Sequence, residues 1–450
     1  MSARTSAPSP IGGALATALA EQQERLLPCV HCGFCLPACP TYTRLGDEAD
    51  SPRGRLHLMQ AVVEGRLDPG SDAFRTHIDR CLGCRACEPA CPSGVEYGIL
   101  LEHARETAVA ARPAGLLTRM LLRLMASRGA RGVFFLGGRL MRGAGLAALG
   151  ARLLPRGRLL GSTKLGLAML ASSAPWKALA RQPSDRPGGR AAGEGAGGRP
   201  EPRGRVGMLT GCVQQGLYDR VNQATERVLR ANGFDVVPVA GQDCCGALHA
   251  HAGALAGARE LARRNIDAFE AAGVDIVVVN AAGCGASMKQ YGVLLENDPT
   301  HADRAARFSA GVRDVNEILA EVGPREGAAV PCRVAYDHPC HLLHAQGIRA
   351  APLDVLAAVP GVDVRVVEQA DECCGGAGIY GITHPDLGGR IGGDKVRAVR
   401  RTEADAVATP NPGCMMQIGA GLRLEGSTTG AVHPVELLDE SYRRAGYYTS

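Results

Sequence analysis

Cys29-Val-His-Cys32-Gly-Phe-Cys35-Leu-Pro-Ala-Cys39-Pro40 decides the fold of the first part of this chain, because its spacing returns as Cys81-Leu-Gly-Cys84-Arg-Ala-Cys87-Glu-Pro-Ala-Cys91-Pro92. A C-x2-C-x2-C-x3-C-P run wraps three thiolates around one face of an iron–sulfur cubane and sends the fourth to the other cluster. Two [4Fe-4S] clusters are therefore expected, one on Cys29, Cys32, Cys35 and Cys91 and the other on Cys81, Cys84, Cys87 and Cys39. Structural zinc is the alternative, but zinc usually takes two separated C-x2-C pairs and not four crowded Cys with a terminal Pro. The 41 residues between Cys39 and Cys81 exceed what a compact ferredoxin hairpin needs, and Pro52 to Gln60 reads as helix, so a helical ferredoxin domain is expected. Arg53 and Arg55 in that helix either tune the clusters through charge and hydrogen bonds or are ordinary surface arginines. His31 and His57 have the same two readings, coupled to electron or proton movement or simply packed or exposed.

Further along the chain, the last 245 residues contain a repeat that subtraction exposes: Cys212 to Cys340 is 128 positions, Cys244 to Cys373 is 129, and Cys284 to Cys414 is 130. Each copy carries one Cys, then Cys-Cys-Gly, then one more Cys: Cys212, Cys244, Cys245 and Cys284 against Cys340, Cys373, Cys374 and Cys414. Short β-prone runs (Val206 to Thr210, Asp235 to Val239, Asp275 to Asn280, then Val334 to Asp337, Val362 to Glu368, Ala404 to Thr409) alternate with helical stretches such as Asp219 to Ala231 and Ala254 to Ala271. That alternation predicts a parallel sheet in each copy, with the motif Cys at the carboxyl ends of strands where ligands bind in such sheets. The expected fold class is multidomain α+β: a helical two-[4Fe-4S] ferredoxin domain (1–106), a basic amphipathic helical segment (107–181), a Gly/Pro-rich linker (182–204), and two repeated α/β Cys-Cys-Gly domains (205–325 and 326–450).

The linker reading rests on 11 Gly or Pro among the 23 residues from Gln182 to Gly204. The basic segment is defined by charge: Thr107 to Ser184 holds 13 Arg or Lys and no acidic residue, while the whole chain is only +5. Within it Leu116, Leu117, Met120, Leu121 and Leu124 recur at helical spacing, with Arg119 and Arg123 on another face. A chain of 450 residues that is 46% hydrophobic builds real cores, and a small net charge with 4% aromatics argues against a nucleic-acid binder. No run of 18 apolar residues occurs, so no spanning helix is expected. Seventeen Cys in a chain of this size point to metal or redox chemistry in a reducing compartment, and not to a disulfide scaffold. Ala18-Leu19-Ala20 resembles a signal-peptide cleavage site, but the stretch before it is Gly- and Ala-rich with a single Arg4 and leads into Glu21-Gln-Gln-Glu24, so a cytoplasmic protein is expected.

These residues resemble the iron–sulfur subunit of bacterial glycolate oxidase (glycolate dehydrogenase), within a wider group of two-cluster ferredoxins fused to Cys-Cys-Gly domains that includes heterodisulfide reductase, lactate-utilisation and anaerobic glycerol-3-phosphate dehydrogenase subunits. The resemblance is carried by Cys29 to Cys35, Thr41-Tyr42, Gly46-Asp47-Glu48, Pro52-Arg-Gly-Arg55, Asp79-Arg-Cys81, Gly283-Cys-Gly-Ala286, Cys373 to Gly378, Thr383 to Leu387 and Asn411-Pro-Gly-Cys414. It implies that separate FAD-binding subunits oxidise glycolate to glyoxylate and that this chain, inactive alone, carries the electrons towards a quinone or other acceptor. Gly376-Ala-Gly378-Ile-Tyr-Gly381 matches G-x-G-x-x-G, but it adjoins Cys373-Cys374 inside the repeat and is not read as a dinucleotide site.

The chain departs from the heterodisulfide-reductase relatives where their motif ends in C-x-x-C, for it has Cys284-Gly-Ala-Ser287 and Cys414-Met-Met-Gln417. Four thiolates per repeat suit an additional Fe–S centre, a zinc or redox-active thiols, and the residues leave these open. Cys332, outside every motif, reads as a plain buried residue. The alternatives to the glycolate reading are a lactate- or glycerol-3-phosphate-oxidising system and a heterodisulfide-reductase-like thiol enzyme. The basic segment is expected to meet an anionic membrane surface, making the protein peripheral on the inner face of the cell membrane, or an acidic partner subunit; a helical bundle with solvated Arg is the other reading.

Overall fold

The computed structural model describes residues 17–155, 161–176, 179, 202–378 and 380–448; most of the expected linker lies outside them. The chain divides into two compact units, one of residues 1–122 with 248–258 and one of residues 123–247 with 259–450.

The first unit is helical. Its longest elements are Pro52–Val63, Asp72–Asp79 and Tyr97–Ala111, the last running across the boundary expected at 106. Ser51 accepts a hydrogen bond from the Gly54 N–H at 2.9 Å, and Pro52 occupies the first helical turn, a position where its missing N–H costs nothing. Gly54 is required because a Cβ there would collide with the Glu48 carbonyl. Leu56, Met59, Phe74, Ile78, Leu100 and Leu101 form a core that also takes in Cys81, Cys87 and Tyr97. Residues 248–258 join this unit: Arg105 donates to the His251 carbonyl at 2.8 Å, and the His251 ring lies 3.0 Å from Glu102.

The second unit holds two four-stranded parallel sheets of identical topology. Strands β1 (Arg205–Met208), β2 (Asp235–Val237), β3 (Ile276–Val279) and β4 (Val312–Asp314) lie in the order β2-β1-β3-β4. Strands β5 (Cys332–Tyr336), β6 (Val362–Val366), β7 (Ala406–Ala408) and β8 (Gly430–Val432) repeat it as β6-β5-β7-β8. Central strands such as Ile276-Val-Val-Val279 and Ala406-Val-Ala408 are near-continuously apolar, as strands covered on both faces must be. The edge strands β4 and β8 were not foreseen: each is three residues long, and neither carries the hydrophobic run that marks a strand in sequence.

In both sheets the chain steps first to one side of the central strand and then to the other, so a crevice opens at the carboxyl ends between β1 and β3 and between β5 and β7. The repeats share one core, with Val221 and Val228 of the first meeting Leu437 and Leu438 of the second. Arg227 grips Asp439 with two hydrogen bonds at 2.9 and 2.6 Å across the same interface.

Candidate functional site

In the first unit the eight motif cysteines gather into two neighbouring sites. Cys29, Cys32, Cys35 and Cys91 line one, with His31, Arg53 and Leu56; Cys39, Cys81, Cys84 and Cys87 line the other, with Thr41 and Arg55. Pro52, Cys87 and Tyr97 border both. The fourth Cys of each run has thus crossed to the other run's triplet. The two loops share a backbone: residues two and four after the first Cys are left-handed in each, His31 (φ 54°) and Gly33 (φ 88°) in one, Gly83 (φ 66°) and Arg85 (φ 61°) in the other. Holding His31 and Arg85 there costs roughly 1–2 kcal/mol apiece, which the loop tolerates to turn its thiols inward.

The sites differ in their surroundings. Cys32 is exposed and is neighboured in sequence by Val30 and Phe34, 69% and 66% exposed, whereas Cys39, Cys81, Cys84 and Cys87 are all buried. Gly83 N–H and the Tyr97 hydroxyl point at Cys81 Sγ at 3.4 and 3.6 Å, and Thr41 Oγ1 lies 3.1 Å from Cys39 Sγ. Arg55 is fully buried between Thr41 (3.2 Å), the Asp50 carboxylate (3.3 Å) and Cys39 Sγ (3.9 Å). Burial works against its charge, but the sulfurs of Cys81 and Cys39, with Tyr97 and Asp50, raise its pKa. Arg53 sits at the more open site, donating to the His31 carbonyl at 3.1 Å and to Glu48 at 2.8 Å. Burial, then Cys84 and Cys81, push the Cys87 thiol well up. Four thiols this close ionise together only around a cation, so the donor set fits an iron–sulfur cluster. His31 and His57 are exposed, their rings in edge contact at 6.2 Å.

In the second unit each repeat draws its four Cys to the crevice from the segments after three successive strands, with Cys284, Cys340 and Cys414 in the first turns of helices. The pairing is the same in both. In the first, Cys244 Sγ lies 3.5 Å from Cys212 Sγ, and Cys245 interacts with Cys284; in the second, Cys373 interacts with Cys340, and Cys374 Sγ lies 3.1 Å from Cys414 Sγ. The Gly of each motif is left-handed, Gly246 at φ 85° and Gly375 at φ 79°, and a Cβ on Gly375 would stand 2.7 Å from the Gly388 carbonyl. Gly376 and Gly381 of the G-x-G-x-x-G stretch lie close against Gln417 and the Cys374-Gly375 loop, so these two glycines serve close packing.

The charges around the two sets differ. Beside the first, Asn265 donates to the Cys244 carbonyl at 3.0 Å and accepts from the Asp243 N–H at 2.7 Å. Beside the second lies a buried ion pair, Lys395 to Asp337 at 2.9 Å, with Lys395 also donating to the carbonyls of Gln369 and Ala370. Burial pushes the Asp337 carboxyl up despite its partner, while Asp337 and the sulfurs of Cys374 and Cys373 hold the Lys395 pKa up against its own burial. Hydrogen bonds from Cys373 and Cys414, with Lys395 adding to them, hold Cys374 well below the ordinary thiol range. In the first repeat Cys244 is pushed up to about 12, for although Cys212 favours its thiolate, Cys245 and burial oppose it more strongly.

Lys395 and Asp337 were missed in the sequence; the available signal was an Asp directly after a strand at the carboxyl edge. Cys332 starts β5, at the end of the strand away from Cys340, and is half-buried, a correction to the buried residue expected. The amphipathic helix expected in the basic segment forms at Leu116–Ala126, with Leu116, Leu117 and Met120 exposed and Met125 buried.

Two family profiles match this chain: "4Fe-4S dicluster domain" over residues 25–95 and "Cysteine-rich domain" twice, over 206–289 and 334–419. The chain is 37% identical to the probable glycolate oxidase iron-sulfur subunit of Bacillus subtilis (strain 168), over 94% of its length and 95% of the relative's. It is 35% identical to the glycolate oxidase iron-sulfur subunit of Escherichia coli (strain K12), over 94% and 96%. A subunit of the fumarate reductase (CoM/CoB) of Methanothermobacter marburgensis is 34% identical over 54% of this chain and 47% of its own.

Proposed function

From its membership of the family of glycolate oxidase iron–sulfur subunits, we propose that this chain takes electrons from the FAD of partner subunits that oxidise glycolate to glyoxylate and passes them towards a quinone-type acceptor. Cys29, Cys32, Cys35 and Cys91 would hold one [4Fe-4S] cluster and Cys81, Cys84, Cys87 and Cys39 the other. Bound there, the clusters supply one-electron carriers whose potentials respond to charge, hydrogen bonding and exposure. The observation that carries the reading is two adjoining quartets of cysteine thiols, one reaching the surface beside exposed Val30 and Phe34 and one buried against Arg55. An exposed apolar rim at a redox site suits the brief docking of an electron donor. Arg55 adds buried positive charge and a long N–H contact to Cys39, which favours the reduced form of the deeper site; Arg53, nearer solvent, does so less. We read the protein as cytoplasmic and peripheral; no helix among the described residues is long and apolar enough to cross a membrane.

The Cys-Cys-Gly sites are proposed as further metal or thiol centres: Cys212, Cys244, Cys245 and Cys284, and Cys340, Cys373, Cys374 and Cys414. A second reading, a thiol–disulfide enzyme, is favoured by the 3.1 Å approach of Cys374 and Cys414. The test of the main reading is iron, acid-labile sulfide and zinc per chain on anaerobically purified protein, with EPR after reduction. About eight iron and eight sulfide are expected from the first unit alone; near-zero iron with stoichiometric zinc overturns it. Omission of the chain from the assembled complex should abolish glycolate-dependent dye reduction, and loss with lactate instead would transfer the role to another hydroxy acid. Disulfide turnover that disappears in Cys373→Ser or Cys374→Ser is what the thiol reading requires.

A further inference from the structure

Helices of a protein surface turn polar faces outward and apolar faces inward. Two helices of the second unit, Arg128–Gly143 and Leu146–Leu153, turn their large apolar side chains outward, the first with arginines on its inward face. On the first, Arg128, Arg131, Phe135, Gly138 and Arg142 share the inward face. Arg128 and Arg131 reach the buried Asp243 carboxylate at 3.0 and 2.9 Å, and Arg142 donates to the carbonyls of Ser173 and Leu217 at 3.0 and 3.1 Å. Phe135 packs against Gly216, where any Cβ would collide with its ring, and Gly138 meets Leu170 and Leu217. The outward face carries Val133, Phe134, Leu136, Leu140 and Met141, with Val133 and Leu140 72% and 67% exposed. On the second helix the small Ala147 and Ala151 are buried and Gly150 abuts Leu167, while Leu146, Leu149 and Leu153 stand out, Leu153 at 70%.

Together these eight side chains expose on the order of 900 Å² of largely apolar surface, above the roughly 300–600 Å² of the largest patch on a typical monomer. Among the described residues nothing covers these side chains beyond the exposures given, and residues 181–204 contain no large apolar side chain. The charge on these helices has one sign: exposed Arg139 and Arg152 lie on them, within a stretch of 78 residues from Thr107 to Ser184 that holds no Asp or Glu. A face of Leu, Val and Phe on helices whose charged residues are all Arg matches the boundary between acyl chains and anionic headgroups.

We propose that the outward faces of Arg128–Gly143 and Leu146–Leu153 insert into the headgroup–acyl boundary of an anionic bilayer and attach the chain to it as a monotopic protein, without a spanning helix. The inference rests on the proposed electron-transfer role for its purpose, since a quinone-type acceptor is dissolved in lipid. Attachment of this kind depends on apolar burial as much as on charge, so it persists at high salt.

The experiment is vesicle flotation of the anaerobically purified full chain, with phosphatidylcholine vesicles alone and with phosphatidylglycerol added, at low salt and in 0.5 M NaCl (roughly a third to a half of the Debye length in 0.1 M). The chain should float with anionic vesicles and stay bound in salt. Leu140→Glu with Leu149→Glu, both at exposed positions, should lower the bound fraction at least about tenfold, leaving iron content and glycolate-dependent dye reduction by the assembled complex unchanged. The proposal is overturned if the native chain does not float, if it is released by salt, or if the double variant floats as before. It is equally overturned if that variant instead loses co-purification with the flavin subunits or self-association, for the face would then be a protein interface. Loss of flotation with dye reduction intact separates this inference from the electron-transfer reading, which fails if the chain holds no iron or if dye reduction needs no iron–sulfur subunit.

Discussion

The two Cys-Cys-Gly repeats have the same strand order, the same left-handed Gly and the same sulfur pairing, yet they set different polar and charged groups beside the sulfurs. The first steadies its Cys-Cys loop with the amide of Asn265 and with the Asp243 carboxylate, which accepts the Cys244 N–H at 2.8 Å and is held by Arg128 and Arg131; the second places a Lys395–Asp337 ion pair against it. Their edge helices diverge likewise. Asp314 caps the Val315–Val322 helix with Glu317, and His433 caps the Pro434–Arg444 helix with Glu436. Topology is thus retained by backbone and packing, while the electrostatics of the crevice are set by a few side chains, so one fold can surround the same sulfur pairing with different charged groups.

The largest expected break in this comparison is Lys395→Met. It strands Asp337 in the interior and should weaken the second repeat by about 3–5 kcal/mol. Asn265→Leu in the first leaves an N–H and a carbonyl without their amide partner and should cost about 1–3 kcal/mol. Hydrogen exchange read separately over β1–β4 and β5–β8 checks the order, and a greater loss from Asn265→Leu would contradict it.

Acidification should separate the repeats next. Burial lowers the His433 pKa to about 3, so the imidazole is neutral in the fold. Its contribution is fully present above the unfolded value of about 6.5 and is lost, at about 1.4 kcal/mol per pH unit, as pH falls from there towards 3. Burial raises the Asp314 pKa to about 6, against its hydrogen bonds from Asn316. The fold favours its protonated form, so that contribution is present below the unfolded value of about 3.9 and is lost as pH rises through 6. Between pH 6.5 and 4.5, exchange protection in β8 should fall with acid in the native chain and flatten in His433→Asn. In β4, Asp314→Asn should remove a dependence of opposite sign.

The smallest effect is expected at the interface the repeats share. Arg227→Ala removes two hydrogen bonds to Asp439, but the Arg is partly exposed and solvent-screened, so about 1 kcal/mol or less is expected. A double-mutant cycle with Asp439→Ala measures it. A coupling of several kcal/mol would mean the repeats depend on each other electrostatically as well as through Val221, Val228, Leu437 and Leu438.

Local patterns were the legible part. Ile276 to Val279 reads as a covered strand because its apolar run has no other stable place, and Pro52 reads as a helix start because Ser51 precedes it. The repeat was visible as a repeated interval, and the site residues were visible where thiols were crowded. β4 and β8 escaped notice because an edge strand of three residues needs only a neighbour to pair with, and Lys395 because its partner lies 58 positions away.

The sequence by itself determined which residues can bind iron, how often the sulfur motif occurs and where the chain must turn, since those depend on residue type and spacing over short distances. Only the tertiary structure decided that one quartet reaches the surface while the other is buried against Arg55, that one repeat sets Lys395 and Asp337 beside its sulfurs and the other Asn265 and Asp243, and that Leu140 faces out while Arg131 faces in. A periodic helix shows that it has two faces, but which face is buried depends on partners brought together from distant parts of the chain, here Asp243 and Gly216.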